Sequence, residues 1–82
     1  MRVAVDISLY PLNEDFVPPI EDVIARLKAH RDMEVDTNAM STQLRGEYSV
    51  VMRALEAEIG KTFDELPKAV FVLKILNNPL ED

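Results

Sequence analysis

The sequence has 82 residues, of which 48% are hydrophobic, and a net charge of −6. Its length and hydrophobic content indicate one globular domain over residues 1–82, with a core that buries about 60–65% of the unfolded surface. The negative charge argues against nucleic acid as a partner, since phosphate binding needs clustered lysine and arginine. The sequence has no cysteine, which excludes disulfides, thiolate metal sites and a thiol nucleophile.

The first residues do not have the pattern of a targeting segment. Asp6 lies where a signal peptide would need an apolar run. No stretch approaches the roughly 20 apolar residues that span a bilayer. We therefore expect a soluble, cytoplasmic protein without a membrane partner.

The first segment alternates between two kinds of side chain, which predicts a strand. Its apolar positions are Val3, Val5, Ile7 and Leu9. The alternate positions include Asp6, Ser8 and Tyr10, whereas a face open to water would favour Lys, Glu and Thr. Pro11, which cannot donate to a ladder, ends the strand.

A helix is predicted to begin at Pro18 and Pro19, where the missing N–H of proline costs little. Apolar residues then recur with helical spacing at Ile20, Val23, Ile24 and Leu27. His30, the single histidine, lies near the end of this helix. Because no second histidine or cysteine accompanies it, we interpret His30 as a solvated helix-end residue rather than a metal ligand.

The stretch from Met33 to Glu47 predicts a β-hairpin between two helices, since residues 35–41 alternate with the period of a strand. A turn near Met40 would bring together a group of hydroxyl and amide side chains. They are Asn38, Ser41, Thr42 and Gln43. Such groups hydrogen-bond without carrying charge, which suits holding a small polar molecule. An ordinary hairpin with a polar rim is the alternative.

A second helix is predicted from about Tyr48. Its apolar residues recur every four positions, at Val51, Leu55 and Ile59. Glu56 and Glu58 are interpreted as its solvated surface.

Glycine and proline set the expected limits of this second helix. Gly46 is predicted to break the preceding strand, and Gly60 to end the helix or to weaken it. Pro67 forces the helix to stop.

The last predicted strand, residues 69–76, is apolar except for Lys74. The side chains expected to face the helices are Phe71, Leu73 and Ile75. The opposite face carries Val70, Val72 and Lys74. A short polar tail is expected to begin at Asn77.

The order of elements is strand, helix, strand, strand, helix, strand. Right-handed crossovers then give an α+β, ferredoxin-like βαββαβ fold, with a four-stranded antiparallel sheet and both helices on one face. The expected order across the sheet is fourth, first, third, second strand. Asp6 and Lys74 then lie on adjacent strands and on the same face, where a cross-strand ion pair would explain both without a ligand.

The face of the sheet without helices, here called the open face, mixes apolar and polar side chains. It is predicted to carry Ala4, Asp6, Ser8, Tyr10, Asn38, Met40, Val70, Val72 and Lys74. This face fits two uses: burial against a second subunit, or the floor of a pocket whose few polar groups orient a small ligand. Both hold at once if the pocket lies at a subunit junction.

Catalysis has little support in the sequence. The single histidine leaves no Ser/His/Asp set, and only Gly46 and Gly60 are available for a phosphate loop. Residues 12–17 lack the arginine that an acylphosphatase would need after its first strand. The middle strands lack the paired aromatic residues of an RNA-recognition module. We expect neither an enzyme nor a metal site.

Several short motifs, taken in order, resemble those of one family. They are Asp6-Ile-Ser-Leu-Tyr-Pro-Leu12 on the first strand, Met40-Ser-Thr42 in the hairpin and Leu73-Lys-Ile75 on the last strand. The set resembles the YkoF-like thiamine-binding family. Asp15-Phe-Val-Pro18 and Thr37-Asn38 are similar to its YkoF branch in particular.

The resemblance implies binding of thiamine or its hydroxymethylpyrimidine portion, in vitamin uptake or salvage, with thiamine as a ligand and no cofactor. The contacts that it implies are Asp6, Ser8, Tyr10, Asn38, Met40, Ser41 and Thr42. Hydroxyls and amides match the donors and acceptors of an aminopyrimidine. Asp6 or the ring of Tyr10 suits the fixed charge of the thiazolium, and the acidic net charge favours free thiamine over its diphosphate.

The YkoF branch carries two such domains in tandem, whereas this sequence has one. We therefore expect copies of the chain to associate as a homodimer or homotetramer. The alternative function is a non-catalytic structural or regulatory oligomerisation module whose open face serves only assembly.

Overall fold

The computed structural model describes residues 1–79, so the end of the predicted domain, residues 80–82, lies outside the described residues. The elements in chain order are β1 (Arg2–Tyr10), α1 (Val17–Lys28), β2 (Glu34–Thr37), β3 (Thr42–Glu47), α2 (Tyr48–Glu65) and β4 (Val70–Asn77). In this part of the chain, no helix is both long and apolar enough to cross a membrane.

The four strands form one antiparallel sheet in the order β2-β3-β1-β4. This is the order predicted from the sequence, and both helices pack on one face, as expected of a ferredoxin-like α+β fold. β1 therefore lies in the interior of the sheet, paired on both sides, while β2 and β4 form its two edges.

The core lies between the sheet and the helices. β1 contributes its predicted apolar side, and the helices contribute residues at helical spacing. The buried apolar side chains are Val3, Val5, Ile7, Leu9, Val23, Leu27, Met33, Leu44, Val51, Ala54 and Leu55. Burying a Val or Leu side chain contributes about 1.5–3 kcal/mol, so this cluster is the main source of stability.

Gly46 does not break its strand, contrary to the prediction. It lies within β3 and pairs with Val3 on β1. A Cβ atom at this position would lie 3.2 Å from the Cβ of Met33 and 3.4 Å from a methyl carbon of Val51. The absent side chain therefore lets Met33 and α2 approach the sheet closely.

Gly60 does not end its helix. α2 continues for 18 residues to Glu65, and the N–H of Leu66 donates to the carbonyl of Thr62. Gly60 is exposed, with open space where a side chain would lie. A glycine there costs only about 1 kcal/mol relative to alanine, which the burial of Val51, Leu55 and other residues of α2 offsets.

β4 alternates as predicted, but its position at the edge leaves apolar groups uncovered on both faces. Leu73 and Ile75 lie on the same face as the helices and are still 38% and 48% exposed. Lys74 lies directly opposite Asp6 on β1, as predicted. The carboxylate of Asp6 accepts a hydrogen bond from Gln43 (3.4 Å).

Two polar side chains predicted to be solvated instead join the helices. The carboxylate of Glu58 on α2 is 14% exposed and accepts hydrogen bonds from Arg26 on α1 (2.6 Å) and from His30 (2.7 Å). Arg26 also donates to Thr62 (2.7 Å) and Asp22 (3.0 Å). Glu58 and His30 therefore belong to an interhelical network, and the predicted solvated roles of both are wrong.

Candidate ligand-binding site

A cavity of about 510 Å³ lies at one end of the molecule. Its walls come from the end of β1, the loop before α1, the sheet-facing side of α1 and the turn between β2 and β3. The apolar lining deep in the cavity consists of Ile7, Leu9, Ile20, Val23, Ile24, Leu27 and Phe71. The cavity therefore lies between α1 and the sheet and opens to solvent.

This position differs from the predicted one. The cavity lies on the helix side of the sheet, so the open face does not form its floor, because the lining side chains Ile7 and Leu9 are those that β1 directs toward the helices. The hairpin nevertheless contributes to its wall, through residues 37–42.

The described residues that line the cavity include no Asp, Glu, Lys, Arg or His. The polar residues that line it are Ser8, Tyr10, Asn13, Thr37, Asn38, Ser41 and Thr42. Apolar walls with a few hydroxyl and amide groups suit a ring-shaped molecule with neutral polar substituents. A fixed charge buried here would lack a counter-ion, which is costly in an apolar site.

Two threonine hydroxyls meet at the hairpin side of the cavity. Thr37 on β2 and Thr42 on β3 face each other across the ladder, and their oxygen atoms lie 3.0 Å apart. Thr42 is only 5% exposed. One hydrogen is shared between the two hydroxyls, so the pair retains one further donor and several acceptor lone pairs for a ligand.

Asn38 organises the turn of the hairpin. Its side-chain oxygen accepts hydrogen bonds from the backbone N–H groups of Met40 (2.8 Å) and Ser41 (3.1 Å), and its own N–H donates to the carbonyl of Ser41 (3.0 Å). Its amide nitrogen donates to Gln43 at 3.4 Å. The side-chain oxygen of Asn38 is thus committed to the turn. Its side-chain NH2 group is the part still available to a ligand.

Six of the seven site residues predicted from the sequence line the cavity: Ser8, Tyr10, Asn38, Met40, Ser41 and Thr42. Asp6 does not. It lies on the open face, where the amide of Gln43 reaches both its carboxylate (3.4 Å) and the hydroxyl of Ser41 (2.8 Å). Whether any of the seven contacts a ligand stays a prediction.

Thr37 and Asn13 are polar lining residues that were not among the predicted site residues, and Thr37 is the one that a signal in the sequence could have found. Its alternation with Val35 already placed it on the helix-facing side of β2, because successive residues of a strand point to opposite faces. That position brings its hydroxyl to the cavity.

The mouth of the cavity is rimmed by large exposed apolar side chains. They are Tyr10, Leu12, Phe16 and Met40, and Met40 is 87% exposed. Leu12 has a φ of 55°, a left-handed backbone conformation that is unusual for a bulky residue. Such strain is maintained only where the surrounding structure imposes it, and it clusters at ligand sites.

The open face changes in character from one edge to the other. A row of opposed residues runs across all four strands: Asp36, Gln43, Asp6 and Lys74. On either side of Lys74, β4 carries Val70, Val72 and Leu76 on the open face, each between 44% and 58% exposed. The open face is therefore polar near β2 and β3 and apolar along β4.

Comparison with known proteins gives a family and a shared fold. A family model described as the YKOF-related family matches residues 2–76. A search of curated proteins finds no match.

Among solved structures, hypothetical protein MJ1052 of Methanocaldococcus jannascii has a TM-score of 0.83 and 24% identity, covering 99% of this chain and 84% of that one. Protein SP2199 of Streptococcus pneumoniae has a TM-score of 0.78 and 19% identity, covering 100% and 92%. TM0486 of Thermotoga maritima, provisionally assigned to thiamine biosynthesis or salvage, has a TM-score of 0.72 and 21% identity, covering 95% and 85%. At these sequence identities, the structural similarity shows that this chain shares the fold of the three proteins and shows nothing about their functions.

Proposed function

Because this chain belongs to the YkoF-related family, we propose that it binds thiamine or its hydroxymethylpyrimidine portion and holds it without chemical change. The observation that carries the proposal is the cavity of about 510 Å³, apolar in its depth and lined with neutral hydroxyl and amide groups at the hairpin. The provisional assignment of TM0486 to thiamine biosynthesis or salvage supports the same ligand class.

The pyrimidine portion matches the interior of this cavity. Its flat ring fits between the apolar side chains of α1 and β1, while its amine and ring nitrogens need a few acceptors and donors. The hydroxyls of Thr37 and Thr42 supply both, at 3.0 Å from each other. Phe71 closes the wall on the β4 side.

The thiazolium portion of thiamine carries a fixed positive charge and belongs at the mouth. Tyr10 and Phe16 line that region and are about half exposed, and aromatic faces attract cations. Asp6 does not line the cavity, so a carboxylate contact with the ligand is not part of the proposal. The net charge of −6 disfavours a diphosphate ester.

Calorimetry with three ligands tests this assignment. Hydroxymethylpyrimidine and thiamine are expected to bind, with the neutral pyrimidine at least as tight as the cation, and thiamine diphosphate is expected to bind most weakly. In a thermal-shift assay, a ligand at 100 times its dissociation constant adds about 2.7 kcal/mol of stability. Tightest binding by the diphosphate would contradict the argument from charge.

The second candidate is a structural or regulatory oligomerisation module. The exposed Val70, Val72 and Leu76 on the open face favour it, since contiguous apolar patches mark interaction sites. Absence of any shift with thiamine, its phosphates or hydroxymethylpyrimidine would support this candidate over the first.

A further inference from the structure

Phe71 is the residue through which β4 lines the cavity. It lies opposite Leu9 on β1, on the same side of the sheet as the helices. The other described side chains deep in the cavity come from β1 and α1 and are aliphatic. The depth of the cavity therefore has one aromatic wall, supplied by Phe71, among aliphatic neighbours.

A second aromatic ring, outside the cavity, contacts Phe71. Phe63 on α2 packs against it with ring centroids 5.6 Å apart and an angle of 61° between the planes, an edge-to-face arrangement. Aromatic pairs favour this arrangement because the positive edge of one ring meets the negative face of the other. Phe63 does not line the cavity and is 50% exposed, so any effect that it has on a ligand passes through Phe71.

The position of β4 at the edge of the sheet makes this contact important. Leu73 and Ile75, which follow Phe71 on the same face, are 38% and 48% exposed, whereas Phe71 is partly buried and packs against the core. No strand lies beyond β4 in residues 1–79, so without Phe63 the ring would be free to take another staggered rotamer. The contact with Phe63 favours the rotamer in which Phe71 lines the cavity.

We propose that Phe71 makes the cavity selective for flat aromatic rings over saturated rings of the same size, and that Phe63 is a positioning residue that holds Phe71 in the orientation this requires. The physical reason is that an aromatic pair gains more than the burial of its area alone. This inference rests on the proposed function only in that it takes the cavity as a ligand site.

The sheet places this aromatic wall and the hydroxyl pair of the hairpin on opposite sides of β1. Thr42 on β3 pairs with Ile7, and Phe71 on β4 pairs with Leu9. Neighbouring strands lie about 4.8 Å apart, so two strand spacings separate these groups by about 10 Å across the sheet. The ligand class that uses both is a neutral aromatic ring with hydrogen-bonding substituents at one end.

Two neutral alcohols of similar size test the selectivity. Benzyl alcohol carries a flat ring and cyclohexylmethanol a saturated one, and NMR titration read at the methyl groups of Ile20 and Ile24 gives a dissociation constant for each. Phe71→Leu is expected to weaken benzyl alcohol by about 2- to 12-fold, the range for loss of an aromatic pair, and to leave cyclohexylmethanol nearly unchanged. An equal loss for both alcohols, which a general loss of packing would give, or failure of both to bind, would overturn the proposal.

Substitutions on α2 test the positioning role of Phe63. Phe63→Leu should lower the preference for benzyl alcohol in the same direction as Phe71→Leu, and Phe63→Tyr, which keeps the ring, should restore it. Tyr48→Leu is the matched control, because Tyr48 is also a half-exposed aromatic residue of α2 and does not line the cavity; it should keep the natural preference. A natural preference in Phe63→Leu would refute the positioning role.

Hydroxymethylpyrimidine as a third probe separates this inference from the proposed function. If it fails to bind while the two alcohols behave as expected, the proposed function is wrong and the selectivity for aromatic rings stands. If it binds equally well to the natural chain and to Phe71→Leu, the proposed function stands and the selectivity is wrong.

Discussion

The hydroxyl oxygens of Thr37 and Thr42 lie 3.0 Å apart, on neighbouring strands at the side of the cavity. Neither strand alone would place two hydroxyls at this distance, and the turn between them fixes it. This pair is the most nearly buried polar feature of the candidate site, because Thr42 is 5% exposed.

Replacing Thr42 by valine removes the hydroxyl and keeps the shape of the side chain. A hydrogen bond contributes about 0.5–1.5 kcal/mol, so binding of hydroxymethylpyrimidine is expected to weaken by about 2- to 12-fold in calorimetry. Ser49→Ala, which removes an exposed hydroxyl on α2 away from the cavity, is the control and should bind normally. Unchanged affinity for Thr42→Val would mean that the ligand does not use this pair.

Two substitutions at Asn38 separate its role in the turn from a role in binding. Asn38→Asp keeps an oxygen that can accept from the N–H groups of Met40 and Ser41, whereas Asn38→Ala leaves both donors without that partner. We expect Asn38→Ala to lower the free energy of unfolding by about 1–2 kcal/mol and to speed amide exchange at Met40 and Ser41. If Asn38→Asp preserves stability and weakens ligand binding, the amide group contacts the ligand. Equal stability of the two variants would disprove the proposed role of the oxygen in the turn.

The fold was predictable because its signals are local. Strict alternation in β1 and the helical spacing in α1 each identify an element, and two helices between four strands leave few topologies. The side of the sheet that holds the cavity was not predictable in this way. The alternation in β1 predicts that Ile7 and Ser8 face opposite sides of the sheet. It does not predict the distance between the sheet and the first residues of α1, and that distance decides whether a cavity forms there.

Glu58 shows a signal that was present and misinterpreted. Val51, Ala54 and Leu55 are buried on α2, and Glu58 continues their spacing of three and four residues. A carboxylate on an apolar stripe indicates a buried partner, since an unpaired charge there is costly. The partner, Arg26, is 32 positions away in the sequence, so its identity needed the packing of α1 against α2.

Stability is expected to depend on pH through Glu58. Burial alone would raise the pKa of its carboxyl, but hydrogen bonds from His30 and Arg26 and the charge of Arg26 outweigh burial, so the pKa lies below the ordinary value of 4.5. A carboxylate with a lowered folded-state pKa stabilises the fold above its unfolded pKa, and that contribution is lost as pH falls through the folded value. Glu58→Gln should therefore be less stable than the natural sequence at neutral pH, with a difference that shrinks below about pH 4.5.

Denaturant unfolding from pH 7 to pH 3 measures this difference. Glu56→Gln is the matched control: Glu56 is exposed and two residues away on the same helix, so its substitution should leave the pH profile unchanged. A Glu58→Gln profile that runs parallel to that of the natural sequence down to the lowest pH would rule out the proposed linkage.

The two glycines provide a pair of opposite predictions for the same substitution. At Gly46 an added methyl would lie 3.2 Å from the Cβ of Met33, an atom fixed by the backbone, in a buried part of the sheet. Overpacking a core costs about 1–3 kcal/mol, which exceeds the 0.4–1 kcal/mol gained by restricting the unfolded chain. Gly46→Ala is therefore expected to be destabilising by about 1 kcal/mol.

At Gly60 nothing lies within 4 Å of the added methyl, and the residue is in the interior of α2. Alanine is favoured over glycine in a helix interior by about 1 kcal/mol, so Gly60→Ala should raise the melting temperature, by roughly 4–8 °C for a domain of this size. Calorimetry on both variants measures the two shifts side by side. Since the chemical change is identical, melting temperatures that shift in opposite directions can only reflect the local packing. A stabilised Gly46→Ala variant would contradict this prediction and would show that Met33 and α2 are free to move away from the sheet.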